Sequence, residues 1–386
     1  MKLKYIYIIM LVLFLIGFSP NNSSAIGLNN ISNPMSSLSE FNIDSHNAYA
    51  NNSTVRKVES SSKQRIKNRQ NSKDITDVIL KKRKPSCADY VKTYTSSVED
   101  LNSNQEFEGN LSVSVSGDKC IFTSNAIPNY DFNSSQFVTD VSEQNLTLEV
   151  TTNPQQASKN TELSLATDNA IFLNGVKLDL LSAGCYGVGD GKIGCSDMEQ
   201  PWRFDPMSSL NDFQTDSHNA HTQPSGIYHY HGSPVALFDS ENAIVSPVIG
   251  FAADGFPIFG SYFDDNGTVR KAKSSYQLKE GDRQEIKCEN PGGIYDDNGT
   301  VRKAKSSYQL KEGDRQEIKC ENPGGIYDGT YRDDYEYVAE LGDLDECNGM
   351  TINGVYGYFV TDSYPWVMGC FKGTPDSSFN KQKSNN

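Results

Sequence analysis

The sequence predicts a mainly β fold: a single disulfide-stapled, β-rich domain that is sandwich- or barrel-like and has long loops. Between residues 85 and 375, short runs of alternating or β-branched residues are broken by Gly, Asn, Asp and Pro, the pattern of strands joined by turns. No segment there carries an apolar helical stripe between capping residues. The region is also long enough to enclose one large core.

Three segments are the clearest candidate strands. Residues 111–115 alternate between apolar and polar side chains, so one face of the strand would be buried. Residues 145–150 and 356–361 are rich in β-branched, aromatic and other apolar side chains, which pack well on a pleated surface. We therefore expect a strand at each of these positions.

The first 25 residues predict a signal peptide for export. Lys2 and Lys4 supply a charged start, residues 5–18 form an apolar run, and residues 23–25 offer a small-residue cleavage site. The run is short for a membrane span, so an uncleaved anchor is only the alternative. No other stretch is apolar enough to cross a bilayer. We expect a secreted, periplasmic or extracellular protein that does not span a membrane.

Residues 26–84 have the composition of a disordered leader, since they are rich in Asn, Ser and Lys and poor in apolar residues. Residues 56–84 carry eleven Lys or Arg against three acids, a net charge of +8, whereas residues 1–55 balance at zero. Because the whole chain carries −14, residues 85–386 must carry −22. Nucleic acid is therefore excluded as a partner, because phosphate contacts need positive surface. Residues 376–386 are predicted to be a disordered tail.

The sequence contains two internal repeats. Residues 33–48 of the leader echo residues 205–220 and make the leader a degenerate partial copy, which keeps His46 without neighbouring histidines. We expect that copy to be inert. Residues 264–295 recur without a change as residues 296–327. Solenoid repeats diverge and come in larger numbers, so we expect one tandem copy to form native structure and the other to loop out.

The eight cysteines of an exported chain favour disulfide bonds over thiolate metal ligands. Eight cysteines allow 105 pairings, so connectivity does not follow from the sequence. Cys185 and Cys195 bracket a glycine-rich loop and form a natural local pair, and Cys347 with Cys370 is a second candidate. The tandem repeat duplicates one cysteine, so a chain with a single copy would contain seven cysteines, an odd number.

Four of the five histidines fall within fourteen residues, and imidazole is the commonest metal-binding side chain. They are His218, His221, His229 and His231. Around residues 228–231 the composition predicts a strand, in which His229 and His231 share one face while Tyr228 and Tyr230 share the other. Two further histidines from the preceding loop would close around the same ion. The alternative is that the histidines hold a loop by hydrogen bonds.

The tetrad Tyr228-His229-Tyr230-His231 resembles the motif of the YHYH-domain family of exported proteins. The likeness covers residues 105–375 through ordered landmarks, which makes it specific. These landmarks are residues 124–129, 174–176, 216–232, 250–260, 323–330, 344–349 and 356–373. The resemblance implies export and, through the histidines, metal binding, but it specifies no reaction. Tyr130 is a departure, because it stands where the resemblance leads us to expect histidine and a fifth ligand.

Two acids within these landmarks are candidate members of the site. Asp216 and Asp254 are suited to ligate the metal or to orient its histidines. The alternative is that they cap backbone amides in turns. Histidine and carboxylate without thiolate suit copper or zinc, and iron less well.

Three functions follow from these residues. The first is an exported metal-binding protein in which the histidine cluster holds one transition-metal ion. The second is a secreted metalloenzyme, hydrolytic or oxidative, that keeps an open position at the same ion. The third is a secreted module that binds a polysaccharide, another small molecule or a protein through an exposed aromatic shelf, with structural histidines. Whether the chain is an enzyme stays open.

Overall fold

The computed structural model of the chain describes residues 72–189, 193–283 and 323–381, together with the backbone of residues 294–295 and 301–302. In this part of the chain the alternating runs form short strands, and no α-helix occurs. Helical turns are limited to 3-10 helices at Cys87–Tyr90, Ser134–Gln136, Val235–Leu237, Arg332–Asp334 and Ser377–Phe379. The prediction of a mainly β fold is confirmed.

The strands are numbered in chain order. The first ten are β1 (Lys73–Asp74), β2 (Lys92–Asp100), β3 (Gln105–Ser116), β4 (Lys119–Ser124), β5 (Leu146–Thr151), β6 (Thr161–Glu162), β7 (Ala170–Phe172), β8 (Lys177–Leu178), β9 (Ala220–Thr222) and β10 (Tyr228–Tyr230). The others are β11 (Val248–Ala252), β12 (Pro257–Phe259), β13 (Tyr262–Asp265), β14 (Thr268–Lys271), β15 (Tyr276–Leu278), β16 (Ile294–Tyr295), β17 (Val301–Arg302), β18 (Tyr335–Tyr337), β19 (Gly349–Ile352), β20 (Val355–Phe359) and β21 (Cys370–Phe371). The three candidate strands of the sequence fall on β3, β5 and β20, so those predictions are confirmed.

Two sheets contain most of these strands. The first has the order β1-β2-β3-β4-β5, antiparallel except for β1 with β2. The second has the order β19-β20-β12-β11-β7-β8-β10-β9, in which β8 runs parallel to β10 and β12 parallel to β20. Within the described residues neither sheet closes on itself, so the domain is sandwich-like and not a barrel.

The core lies between these two sheets. Phe122 of β4 meets Phe251 of β11 with ring centroids 6.0 Å apart, and both side chains are fully buried. Phe172 of β7 packs edge-on against Tyr230 of β10 at 5.2 Å. Burial of each such side chain contributes about 1.5–3 kcal/mol, so this core is a main source of stability. It also fixes one face of β10 against the core.

The ordered fold begins before residue 85, the predicted start of the domain. Residues 72–84 belong to the predicted leader, yet β1 extends the first sheet and Ile75 is buried. Lys82 accepts a backbone hydrogen bond from Val248 of β11 at 2.9 Å. The average composition of the leader hides these few apolar residues, which is why the boundary is placed too late. The predicted signal peptide and residues 26–71 lie outside the described residues.

The fold also continues past residue 375. Residues 376–381 belong to the predicted tail, but Phe379 is buried and Lys381 donates a backbone hydrogen bond to Ala166 at 2.8 Å. Residues 382–386 lie outside the described part. Among the described residues, no helix has the length and apolar character that a bilayer span requires.

Three disulfide bonds staple the described part of the chain. Cys185–Cys195 and Cys347–Cys370 are the two pairs that the sequence suggests, and both are confirmed. The third, Cys87–Cys120, joins the segment before β2 to β4. Cys288 and Cys320, one in each tandem copy, lie outside the described residues.

Both tandem copies contribute to the described fold. Residues 264–283, from the first copy, supply the end of β13 and all of β14 and β15. Residues 323–327 end the second copy, and Arg283 donates a backbone hydrogen bond to Gly325 there at 2.7 Å. The expectation that one whole copy forms the native structure therefore needs correction. Because the copies are identical, the start of one and the end of the other fill the positions that a single copy would fill.

Candidate metal centre

A short antiparallel hairpin positions two of the clustered histidines. His221 of β9 lies directly opposite His229 of β10 in the register of the pair. Gly226 in the connecting turn has a φ of 78°, and a Cβ there would lie 2.3 Å from Ser142 Oγ, so this turn requires glycine. His231 follows β10, and its backbone N–H donates to Asn219 at 2.9 Å. The expected strand and its alternation are confirmed, but His221 belongs to a strand and not to a loop.

The Nε2 atoms of these three histidines point at one another. His231 Nε2 lies 3.1 Å from His229 Nε2 and 3.0 Å from His221 Nε2. The ligand atoms of all three lie within 4.8 Å of one another, the arrangement of a group that could hold a metal ion. We call His221, His229 and His231 the histidine triad.

The opposite ring nitrogens fix which atom faces the centre. His221 Nδ1 lies 2.8 Å from the carbonyl oxygen of Phe213, and His229 Nδ1 lies 3.2 Å from that of Ile227. A carbonyl can only accept, so each Nδ1 is the donor and each Nε2 carries a lone pair. Backbone carbonyls orient metal-binding histidines in this way. His231 Nδ1 is also buried.

Burial keeps the histidine triad neutral. It lowers the pKa of His221 and places the pKa of His229 and His231 well below the usual value. Neighbouring triad histidines lower the pKa of His229 and His231 further, because two adjacent imidazolium charges repel each other. Neutral imidazole is the form that binds metal.

The geometry of the histidine triad fits a transition-metal ion. Metal–nitrogen distances of about 2.0–2.1 Å place tetrahedral ligand nitrogens about 3.3 Å apart, close to the spacing of the neighbouring Nε2 atoms. Lone pairs that face each other in a largely buried site need either a proton or a cation between them. A neutral imidazole has only one N–H, so His231 can satisfy one of its two neighbours by hydrogen bonding but not both.

The fourth histidine of the cluster lies elsewhere. His218 packs on Tyr130 with ring centroids 3.8 Å apart, and Tyr130 contacts the tyrosine face of β10, which is opposite the histidine triad. Asp216 accepts hydrogen bonds from the Tyr228 hydroxyl at 2.6 Å and from the His218 backbone at 2.8 Å. Among the described residues, neither joins the three histidines in a metal-binding group. This arrangement is the one expected from the alternative, in which Asp216 caps backbone amides in a turn.

Tyr130 takes part in a buried hydroxyl chain. Its hydroxyl lies 3.3 Å from that of Tyr228 and 2.5 Å from that of Tyr230. Tyr230 in turn accepts a hydrogen bond from Asn174 at 3.0 Å. The chain ties β10 to the loop between β4 and β5 and to the turn between β7 and β8, which hold the strand of the histidine triad from its other face.

Asp254 lies in the turn between β11 and β12. It accepts hydrogen bonds from the Tyr358 hydroxyl at 2.5 Å and from the backbone N–H groups of Gly373 and Phe256. Burial raises the pKa of its carboxyl. Its oxygens thus serve protein donors, and among the described residues it does not join the histidine triad.

Lys177 and Asp179 are neighbours of the triad that sequence reasoning missed. Lys177 of β8 lies in register with His229, and Asp179 follows two residues later. Lys177 is 3% exposed and donates to Asp168 at 2.8 Å and to Gln223 at 3.2 Å. The alternation of residues 177–180, Lys-Leu-Asp-Leu, is the period-two signal that would have placed both polar residues on one strand face.

Comparison with protein-family models identifies the family of the chain. The sequence model of the YHYH protein family matches residues 147–300 and 293–373, which together span more than half of the chain. The two matched segments overlap at the junction of the tandem copies, and each contains one copy. No curated protein and no solved structure matches the chain. The chain belongs to the YHYH family.

Proposed function

We propose that this chain is an exported metal-binding protein whose histidine triad holds one transition-metal ion. The observation that carries the proposal is the convergence of three Nε2 atoms, 3.0 and 3.1 Å apart at the shortest, in a buried site. Two of the rings are turned toward that point by backbone carbonyls. His218, Asp216 and Asp254 have other partners and are left out of the proposed ligand set.

Copper or zinc suits the donor set best, and iron less well. Three imidazoles without thiolate are borderline ligands that these ions accept. When bound, such an ion would supply Lewis-acid or redox chemistry. The protein's own contribution is to hold three neutral imidazoles in fixed orientations and to exclude bulk water from them.

Export rests on two further observations. The predicted signal peptide precedes the domain, and three disulfide bonds staple the described residues. Disulfide bonds persist in oxidising compartments and are rare in the cytosol. Both support a periplasmic or extracellular location.

The alternative of a carbohydrate- or protein-binding module lacks its expected feature. An aromatic shelf would expose several rings together. In the described part of the chain, the large exposed apolar side chains are scattered, and Tyr337 is the one aromatic among them. The metal site is therefore the better supported function.

Elemental mass spectrometry of protein purified from its export compartment tests the proposal. We expect about one equivalent of copper or zinc per chain, by the coordination chemistry of the triad. The His229→Ala/His231→Ala double variant should lose the metal, whereas His218→Ala should keep it. A folded wild-type protein that takes up no metal, even when copper or zinc is offered, would overturn the proposal.

A further inference from the structure

A buried polar array shares the strand face of the histidine triad. In the parallel pair of β8 and β10, Lys177 is opposite His229, and the backbone N–H of Asp179 donates to Tyr230 at 2.9 Å. Side chains in register on neighbouring strands point the same way, about 4.8 Å apart. Lys177 and Asp179 therefore face the side on which His229 and His231 lie.

The two oxygens of Asp179 differ in their surroundings. Oδ2 accepts hydrogen bonds from Gln223 at 2.9 Å and from the ammonium group of Lys381. Oδ1 is buried and has no hydrogen-bond partner among the described residues. The residue as a whole is only 3% exposed. A carboxylate oxygen that is removed from water in this way needs a donor.

The strand register places this array next to the histidine triad. Tyr230 pairs with Leu178, so His231 and Asp179, the residues that follow them, are neighbours across the strand pair. Gln223, which donates to Asp179 Oδ2, directly follows the strand of His221. Even so, the carboxylate does not belong to the three-histidine metal-binding group. Asp179 is therefore close to the centre without being placed as a fourth ligand.

We propose that Asp179 Oδ1 accepts a hydrogen bond from a water molecule that completes the coordination of an ion held by the histidine triad. The inference rests on the proposed metal binding and makes the centre an open one. Three protein ligands with a water in the remaining position is the arrangement of catalytic zinc sites, whereas structural sites are closed by four protein ligands. Gln223 and Lys381 are the positioning residues, because they hold Oδ2 and leave Oδ1 for the water.

The first test uses the full chain loaded with Cu²⁺. Proton double-resonance spectra in H₂O and D₂O detect exchangeable protons near the copper, and the strength of the coupling separates protons of a bound water from the more distant Nδ1 protons of the histidines. The wild-type protein should show strongly coupled exchangeable protons, because a bound water supplies them. A copper signal with only the weakly coupled Nδ1 protons means a site closed by protein ligands and would overturn the inference.

The second test measures azide binding by its charge-transfer absorption. Azide displaces water, carries a negative charge and brings no proton for Asp179 Oδ1 to accept. Asp179→Asn removes the opposing charge and adds an N–H donor, so azide should bind about tenfold tighter or more. Asp168→Asn is the matched control, since it removes another buried carboxylate of the same array, one that binds Lys177. It should change the azide affinity little.

The outcomes separate this inference from the proposed function. If both variants strengthen azide binding equally, net charge alone explains the effect and the role of Asp179 Oδ1 is overturned. If the wild-type protein binds no copper, the proposed function fails and the inference fails with it. If Asp179→Asn does not hold copper, the wild-type proton spectrum alone decides the question.

Discussion

His221 Nε2 lies 3.0 Å from His231 Nε2, although the two residues are ten positions apart and enter from opposite sides of a turn. His221 donates from its other nitrogen to Phe213, so its Nε2 presents a lone pair to His231. His229 presents a second lone pair to the same atom. One shared cation satisfies all three nitrogens at once, which a single N–H of His231 cannot do.

Single substitutions should separate the histidines that bind the metal from the one that does not. His221→Ala and His231→Ala each remove one ligand, and we expect each to weaken metal binding by about 100-fold or more, since loss of groups that merely orient ligands already costs 10–100-fold. His218→Ala should leave the affinity unchanged, because His218 contacts Tyr130 and not the triad. Competition with a chromophoric chelator measures all three. Equal losses of metal affinity in the His218→Ala and His221→Ala variants would contradict the three-histidine site.

Metal removal should destabilise the folded protein. Because the ion binds the folded chain, stability rises by about 2.7 kcal/mol when the free metal is at one hundred times its dissociation constant. A chelator should therefore lower the Tm of the wild-type protein in differential scanning calorimetry. The His229→Ala/His231→Ala variant is the control, and its Tm should respond to neither metal nor chelator. A similar shift in that variant would locate the metal elsewhere.

Asp254 should prove structural. In Asp254→Asn, an amide NH₂ group replaces one carboxylate oxygen. The amide then faces donors that this oxygen accepts in the wild-type protein, such as the Tyr358 hydroxyl and the Gly373 N–H. We expect a loss of about 1–3 kcal/mol in the free energy of unfolding, measured in urea. Metal content per folded chain should be unchanged. A variant of unaltered stability that binds no metal would instead make Asp254 a ligand.

One repeat length should be dispensable. Deleting residues 291–322 leaves residues 284–290 to connect Arg283 with Pro323, and Arg283 already bonds Gly325 and the buried Asp334. The shorter connection costs less closure entropy, so we expect stability to rise by roughly 1 kcal/mol. Metal binding should not change. Thermal unfolding checks this, with a Cys288→Ser version as control for the remaining thiol. Failure to fold would show that the second copy has a structural role.

Several features of the fold follow directly from local sequence. The alternation at residues 111–115 is enough to define the buried face of β3, and the ten-residue separation of Cys185 and Cys195 favours their pairing. The Cys87–Cys120 bond has no comparable local signal, because it depends on how β4 lies beside the segment that precedes β2. The fold of residues 72–84, ahead of the predicted start of the domain, depends similarly on tertiary contacts of single side chains such as Ile75.

The candidate site, too, is only partly predictable from local sequence. Alternation along β10 places His229 and His231 on one face, so this half of the triad can be derived from the tetrad alone. The choice between His218 and His221 depends on the register of β9 against β10, which the sequence of the loop does not reveal. Asp179 joins the array only because β8 lies beside β10, although the two strands are about 50 residues apart in the chain.

The most direct measurement is a crystal structure of metal-loaded protein with data collected at the absorption edge of the bound metal. We expect a single anomalous peak about 2.0–2.1 Å from the Nε2 atoms of His221, His229 and His231. His218 should remain stacked on Tyr130, away from the peak. A peak bound by His218, or no peak among the three rings in crystals grown with the metal, would contradict the proposed centre.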